Sequence, residues 1–580
     1  MDAPSLPANS RRLAVLAHID NLASGIQRSN TWPLLIFLTA YLPLTILIAR
    51  HKLLWDDEFF TLYLSKPDSF SGILDALRTG ADQHPPPFYF LTHQIMAALG
   101  PSHLTFRLAS IFGYGLFCIC LFFLLRNRTS VLWALVGMLL PLTTGAYYYA
   151  AEGRGYALVL GFCSLALLSW QKAASHEKRL GWLCLLFGAL VMAVASHYYA
   201  ILFLIPLSIG ELTRTYLRKR IDVLVWLSFC GAAVPPVVFL STIRDASRYS
   251  AHFWAVPYWS RLFQFYPEFL GPSAPVFLLG TLVYLLSRSR VFRGSIANPE
   301  VQVSTSRLPL WEIVTWIGIA AIPVFAMFLA MFVTHGYIER YALSALIGAV
   351  LIVCYAGFHI ARESRIVPFL VSLICLLFIG LQGVMILRAQ STLVSGLVDD
   401  IVFLAPHSAQ PIVVSDVTLF HRASFYAPRQ FARSLAYLSN PSYSVKYLQH
   451  DTVDKGLLDL RPWFPLNVVE QPEYVAEHPQ FLVYGIIGGW DWLTFVFTPP
   501  AYKTEILDRL TVKLLLRVQK VAPGSAQPNL RQYLFSRVRT TGPSLCEEWF
   551  PGDTFCTAIE QKRRTTTLED AIHPKIRVAW

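Results

Sequence analysis

The chain has 580 residues, of which 54% are hydrophobic and only 14% charged; its mean hydropathy is +0.47 and its formal net charge +12. A soluble protein of this length could not hide so much apolar surface, so composition excludes a soluble enzyme and points to a mainly α, polytopic membrane protein. The basic residues fall between apolar runs, where they read as topology signals, and nucleic acid is not an expected partner.

Residues 1–31 are polar, carry Arg11, Arg12 and Arg28, and read as a cytoplasmic N-terminal tail. The first apolar run, 32–50, is too long for a signal-peptide core and lacks a clear small-residue cleavage site, so it reads as a retained anchor. Further apolar runs lie at 104–125, 131–150, 156–170, 181–196, 198–212, 221–242, 273–287, 308–333, 341–361 and 366–387. At roughly 20 residues per crossing these make about eleven transmembrane helices in a domain spanning 32–390, with membrane lipids as its surroundings.

The connections alternate in character. One set holds Arg126 and Arg128; Lys172, Lys178 and Arg179; Arg214, Arg218, Lys219 and Arg220; Arg288, Arg290, Arg293 and Arg307; and Arg362 and Arg365. By the positive-inside rule that set is cytoplasmic. The N-terminus is then inside, while the first outer loop, 51–103, and everything after Arg388 are outside. Within the loop, Phe70, Ile73, Leu74 and Leu77 recur at helical spacing and suit a short helix in the membrane interface. The prolines 85–87 hold the backbone extended, and the last can open a helix over Phe88–Leu99.

From 391 to 580 the composition becomes that of a small α/β extracytoplasmic domain. Pro411–Ser415, Phe481–Ile486 and Thr511–Val518 read as strands. Phe481–Phe497 is apolar enough to imitate a span, but Gly488-Gly489-Trp490-Asp491 interrupts it, so two strands and a turn are expected. Seven cysteines lie inside apolar runs and read as small hydrophobes. Cys546 and Cys556 lie outside them, on the oxidising side of this topology, and are expected to form a disulfide.

The chemistry concentrates after the first span. Asp56, Asp57 and Glu58 stand about one turn beyond hydrocarbon that would not tolerate them, so they face water or a cavity. They could be the acidic start of a solvated loop. They could equally supply a general base, or hold a metal, because adjacent carboxylates and partial burial raise proton affinity. Asp82 and His84 sit on the proline strut before the next helix, either as polar residues at a bend or as part of the same cavity. Arg154 and Arg340 lie at outer ends of spans, against the positive-inside bias, and need an anionic partner. Glu152 and Glu339 are local choices; a phosphate, which a guanidinium matches with two parallel bonds, is the other. Tyr156 and Tyr341 beside them are belt residues or ligands. His197 sits in a tight turn, and with the outer carboxylates and His252 and His335 it leaves a divalent metal cofactor open.

Asp57-Glu58 after the first span, Asp82-x-His84-Pro85-Pro86 with Phe88-Tyr89, Arg107, Glu152-x-Arg154-x-Tyr156, Ser196-His197-Tyr198 and Arg340-Tyr341 together resemble the GT-C superfamily of polytopic glycosyltransferases. The likeness is to its bacterial branch related to protein O-mannosyltransferases and lipid A aminoarabinose transferases. It covers about 55–341, and the spans extend it to about 390; the resemblance is not drawn over the C-terminal domain. It implies an inner-membrane enzyme that moves a sugar from a polyprenyl-phosphate-linked donor to an envelope acceptor on the outer face, with inversion. It also implies a catalytic acid in the first outer loop, at the position of Asp57, with Asp56 as an added neighbour. Against it stand a transporter or flippase of a lipid-linked glycan, which would want charges in mid-span and broken helices, and an inactive envelope scaffold.

Overall fold

The computed structural model describes residues 8–174, 178–288, 308–361, 364–486, 491–497, 501–521 and 544–566, with side chains from residue 17 onward. Arg290, Arg293, Arg307, Arg362 and the Gly488-Gly489-Trp490 turn lie outside these residues. The fold is mainly helical. Among the described residues, seven helices are long and apolar enough to cross a membrane, or ten if each of three bent pairs is one span. The eleventh expected run, 341–361, corresponds to Ala345–Ile360, which is shorter than a typical crossing. The bends fall where the sequence breaks the backbone ladder. Pro141 and the Thr144-Gly145 junction separate Val131–Thr143 from Gly145–Ala151 at 77°, and Pro323 opens the second half of the Leu310–Ala320 and Ile322–Thr334 pair at 50°.

The chain divides into two compact units. The first comprises Met1–Ile48, Leu108–Phe239 and Pro257–Met385. Within the segment read as a polar tail, Ala8–Gln27 is helical, and Ala23 packs with Leu132 and Phe369 while Gln27 accepts from the Leu132 amide at 3.2 Å. Of the seven cysteines in apolar runs, Cys118, Cys120, Cys163, Cys354 and Cys375 are buried, whereas Cys184 and Cys230 are exposed.

The second unit comprises Ala49–Arg107, Leu240–Val256 and Ile386–Trp580. In it the first outer loop belongs with the C-terminal residues. The reason lies in its sheet, ordered β3-β2-β1-β4-β6-β5, with β1 Ile412–Val414, β2 Leu435–Ser439, β3 Val468–Glu470, β4 Gln480–Gly485, β5 Tyr502–Leu510 and β6 Lys513–Lys520. β1 to β4 pair in parallel, while β6 runs antiparallel to β4 and β5. Strands β1 and β2 are buried on both faces, as parallel strands covered by helices are.

Alternate residues feed two cores. Val413, Ala436, Leu438, Phe481 and Val483 pack with the Gln471–Glu477 helix on one face. Ile412, Val414, Leu435, Tyr437, Leu482 and Tyr484 face the other, where Leu53, Phe59, Leu62, Tyr63, Ile73, Leu77 and Tyr89 of the first loop are buried. The Phe70–Leu77 helix therefore spends its apolar stripe on a protein core rather than on a membrane interface. The proline strut opens its helix at Pro86, one residue earlier than expected. After β4, among the described residues of Phe481–Phe497, no second strand forms; Leu493–Val496 is a short helix, with Leu493 and Phe497 buried against β4.

Candidate active site

Trp55 precedes the helix Asp56–Leu64, so Asp56, Asp57 and Glu58 form its first turn. Negative charge there is stabilised by the unpaired N–H groups and the helix dipole, which accounts for part of the acidity without any catalysis. The three side chains then diverge.

Glu58 is fully buried against Arg107, with Nε to Oε1 and Nη2 to Oε2 both at 2.8 Å. The same guanidinium donates to the carbonyls of Ala49 at 2.7 Å, Lys52 at 2.9 Å and Leu53 at 3.3 Å. Arg107 thus caps the chain leaving the first span and clamps it to the acidic helix. The pair holds the Glu58 carboxylate away from solvent.

Asp56 is gripped by the helix Val417–Tyr426. Thr418 Oγ1 donates to Oδ2 at 2.6 Å, and His421 Nδ1 lies 3.2 Å from Oδ1. Asp416 starts that helix by accepting from the Leu419 amide at 2.6 Å. Thr418, Arg422 and Tyr426 follow at intervals of four, on one face. Arg422 Nε donates to the Leu54 carbonyl at 2.9 Å, and the Tyr426 hydroxyl accepts from the Leu54 amide at 3.1 Å. Burial alone would raise the Asp56 carboxyl, but His421, Thr418 and the nearby Arg422 outweigh it and hold Asp56 below the usual carboxylate range. This reverses the expected rise in proton affinity for that acid. Both its oxygens are engaged by protein groups.

Asp57 stands between these two fixed neighbours. It is half-buried, and its carbonyl accepts from the Thr61 hydroxyl at 3.2 Å. Behind the turn, His103 links Tyr426 at 2.9 Å to Asp553 at 3.0 Å. Burial pushes the Asp553 carboxyl up, but bonds from His103 and the Phe555 amide bring it down to about 2. Cys546 and Cys556 form the expected disulfide and close the loop that carries Asp553. Among the described residues, the one group with metal-type ligands in reach of each other is His103 with Cys546 and Cys556, whose sulfurs are already joined. Asp82 and His84 pair with each other, Oδ1 to Nδ1 at 3.3 Å, with both side chains nearly buried.

A second cluster belongs to the first unit. Arg340 Cζ sits 5.4 Å from the Tyr156 ring centroid. Tyr156 contacts His197 at 5.3 Å, and His197 contacts Tyr341 at 5.0 Å. Tyr199, unforeseen in the sequence, closes the group 4.8 Å from Tyr341 and anchors it by donating to the Gly336 carbonyl at 2.8 Å. Arg154 is buried on the adjoining turn, its carbonyl accepting from Ser110 at 3.0 Å. Gly155 is needed here: a Cβ would meet the Ser196 carbonyl oxygen at 2.4 Å, so the Arg154 and His197 turns could not approach. Glu339, a local candidate for Arg340, has Oε1 3.4 Å from Arg261 Nε.

The structure brings Tyr156, His197, Arg340 and Tyr341 together. Thr418, His421 and Arg422 were missed. Their polar spacing along an amphipathic helix was the one available signal.

No protein-family model and no curated protein matches the chain. In structure it is similar to ArnT from Cupriavidus metallidurans, in the apo state and bound to undecaprenyl phosphate, at 13% identity and a TM-score of 0.49 in both cases. The likeness covers 83% of this chain and 97% of the apo protein, and 84% and 98% for the bound one.

Proposed function

We propose that the chain is a GT-C-type glycosyltransferase that moves a sugar from a polyprenyl-phosphate-linked donor to an envelope acceptor. In this reading the N-terminus is cytoplasmic, and the acidic turn and C-terminal residues face outward. The observation that carries the proposal is the fixing of Asp56 and Glu58 by separate partners, which sets Asp57, the acid matched by the sequence resemblance, in a defined geometry just past the first span. Asp57 orients the acceptor hydroxyl and takes its proton. The acceptor oxygen bonds to the anomeric carbon as the bond from that carbon to the phosphate oxygen breaks. The phosphate leaves with the electron pair, and displacement from the opposite face inverts the centre. Arg154 and Arg340 hold the phosphate and stabilise the charge it gains. The ring contacts of Tyr156, His197 and Tyr341 orient Arg340.

The test is transfer of isotope-labelled sugar from a polyprenyl-phosphate donor in membranes containing the purified chain, read by mass shift of envelope glycans and glycoproteins. Labelled product supports the reading, and its absence with an intact, folded protein ends it. The bent helix pairs favour a second reading, a flippase, since broken spans are a feature of transporters. Movement of labelled lipid across proteoliposomes without any new glycosidic bond would select it.

A further inference from the structure

In the C-terminal sheet, the strand order reverses direction between β1 and β4, which are neighbours although β2 and β3 intervene in sequence. Open parallel sheets bind ligands at such a switch point, outside the carboxyl ends of the strands. A cavity of about 240 Å³ lies there. Its floor is built closely: the Ser415 amide donates to the Tyr484 carbonyl at 3.0 Å, and a Cβ at Gly485 would meet Ser415 Oγ at 1.8 Å. Glycine is what lets the ends of β1 and β4 close under it.

The lining suits a neutral, hydroxyl-rich ligand. Asp400 accepts from Lys513 at 2.5 Å and from the Tyr484 hydroxyl at 2.6 Å, so that charge pair is already matched. Asp416 and Arg422 supply one further charge of each sign. Arg422 uses Nε on Leu54, and its two Nη groups have no hydrogen-bond partner among the described residues. The remaining wall is aliphatic, from Leu397, Leu419 and Ile486. A pyranose ring presents hydroxyls that donate to a carboxylate and accept from a guanidinium, and its C–H face lies on aliphatic side chains. Balanced charge argues against a free phosphate, which would want a surplus of cations. Thr418 and Arg422, which line this cavity, also bond Asp56 and Leu54, so its occupant sits one side chain from the acidic turn.

We infer that this cavity is a sugar-binding subsite, and that it takes a neutral hexose unit of the acceptor. The acceptor role rests on the transfer reading above; the binding of a sugar does not. Saturation-transfer NMR on the full-length protein in nanodiscs tests it, with methyl glycosides of glucose, galactose, mannose and N-acetylglucosamine as probes. At least one should give signal at millimolar concentration. Ile486→Trp, an exposed position at the mouth, should remove that signal with an unchanged thermal melt. Absence of signal from all four probes overturns the site, and so does signal that survives Ile486→Trp. Inorganic phosphate displacing the sugar would overturn its neutral chemistry. With an envelope extract titrated as acceptor, Ile486→Trp should raise KM about tenfold at little change in kcat. Sugar binding without any transfer would end the transfer reading and leave the subsite standing, whereas transfer with an unchanged KM would end the acceptor role.

Discussion

At Trp55–Glu58 the side chains are held by named donors: Arg107 takes both oxygens of Glu58, and Thr418 and His421 take those of Asp56. Around Arg340 ring contacts run from Tyr156 through His197 to Tyr341 and Tyr199. The first arrangement fixes direction and charge, and loses both when one partner goes. The second fixes position over a broad, polarisable surface and tolerates small displacements. Substitutions in the acidic turn should therefore act on folding as well as on chemistry, and those around Arg340 mainly on ligand binding.

Arg107→Met should show the contrast most strongly. It leaves Glu58 buried and unpaired and uncaps the end of the first span, at a cost of about 3–5 kcal/mol. The expected result is loss of folded protein in a detergent melt; near-normal stability would mean that Glu58 had found water or another cation. Thr418→Val removes one donor from Asp56 and should cost about 1–2 kcal/mol. Transfer at matched expression should fall with it, because the carboxylate beside Asp57 gains freedom.

The acid dependence of stability sharpens the first half of the comparison. Asp553 is held at about 2 in the folded chain against an ordinary value of 3.8. A depressed carboxyl contributes stability above its unfolded value and loses it as pH falls through the folded one. Melts should therefore drop between about pH 4 and pH 2, by about 2 kcal/mol from this group. Asp553→Asn should start lower and show a shallower slope over that window; an unchanged slope would show that the His103 contact does not persist in solution.

Arg340→Lys should give the smallest effect. It keeps the charge but loses the planar fork and its stacking on Tyr156, worth about 1 kcal/mol. Donor KM should rise several-fold with the melt unaltered. A large fall in stability instead would place Arg340 among structural groups, and no change at all would remove the phosphate role.

The spans were legible because uninterrupted apolar runs leave few alternatives, and β1, β4 and β6 because burial gave them short apolar stretches. β2, β3 and β5 were not read, since Leu435–Ser439 and its neighbours lie in mixed sequence and are specified by pairing rather than by pattern. The interface helix at Phe70–Leu77 was read correctly as amphipathic and assigned to the wrong neighbour: the stripe shows that a face is buried, not what covers it. The same limit hid the grip on Asp56, whose partners Thr418 and His421 are 362 and 365 residues away in sequence. The residues of the aromatic cluster stood out singly at the ends of expected spans, but their contacts with one another were not read.

The central claim is that Asp57, between two acids committed elsewhere, is the group that handles the acceptor proton. Transfer of labelled sugar, measured for Asp57→Asn, Asp56→Asn and Glu58→Gln at matched folded amounts in membranes, tests it most directly. Asp57→Asn should lower transfer by about 10²–10⁴-fold while the protein melts normally, and the other two should lose activity only in proportion to stability. Retention of most activity by Asp57→Asn, with loss in a well-folded Asp56→Asn protein, would contradict the account.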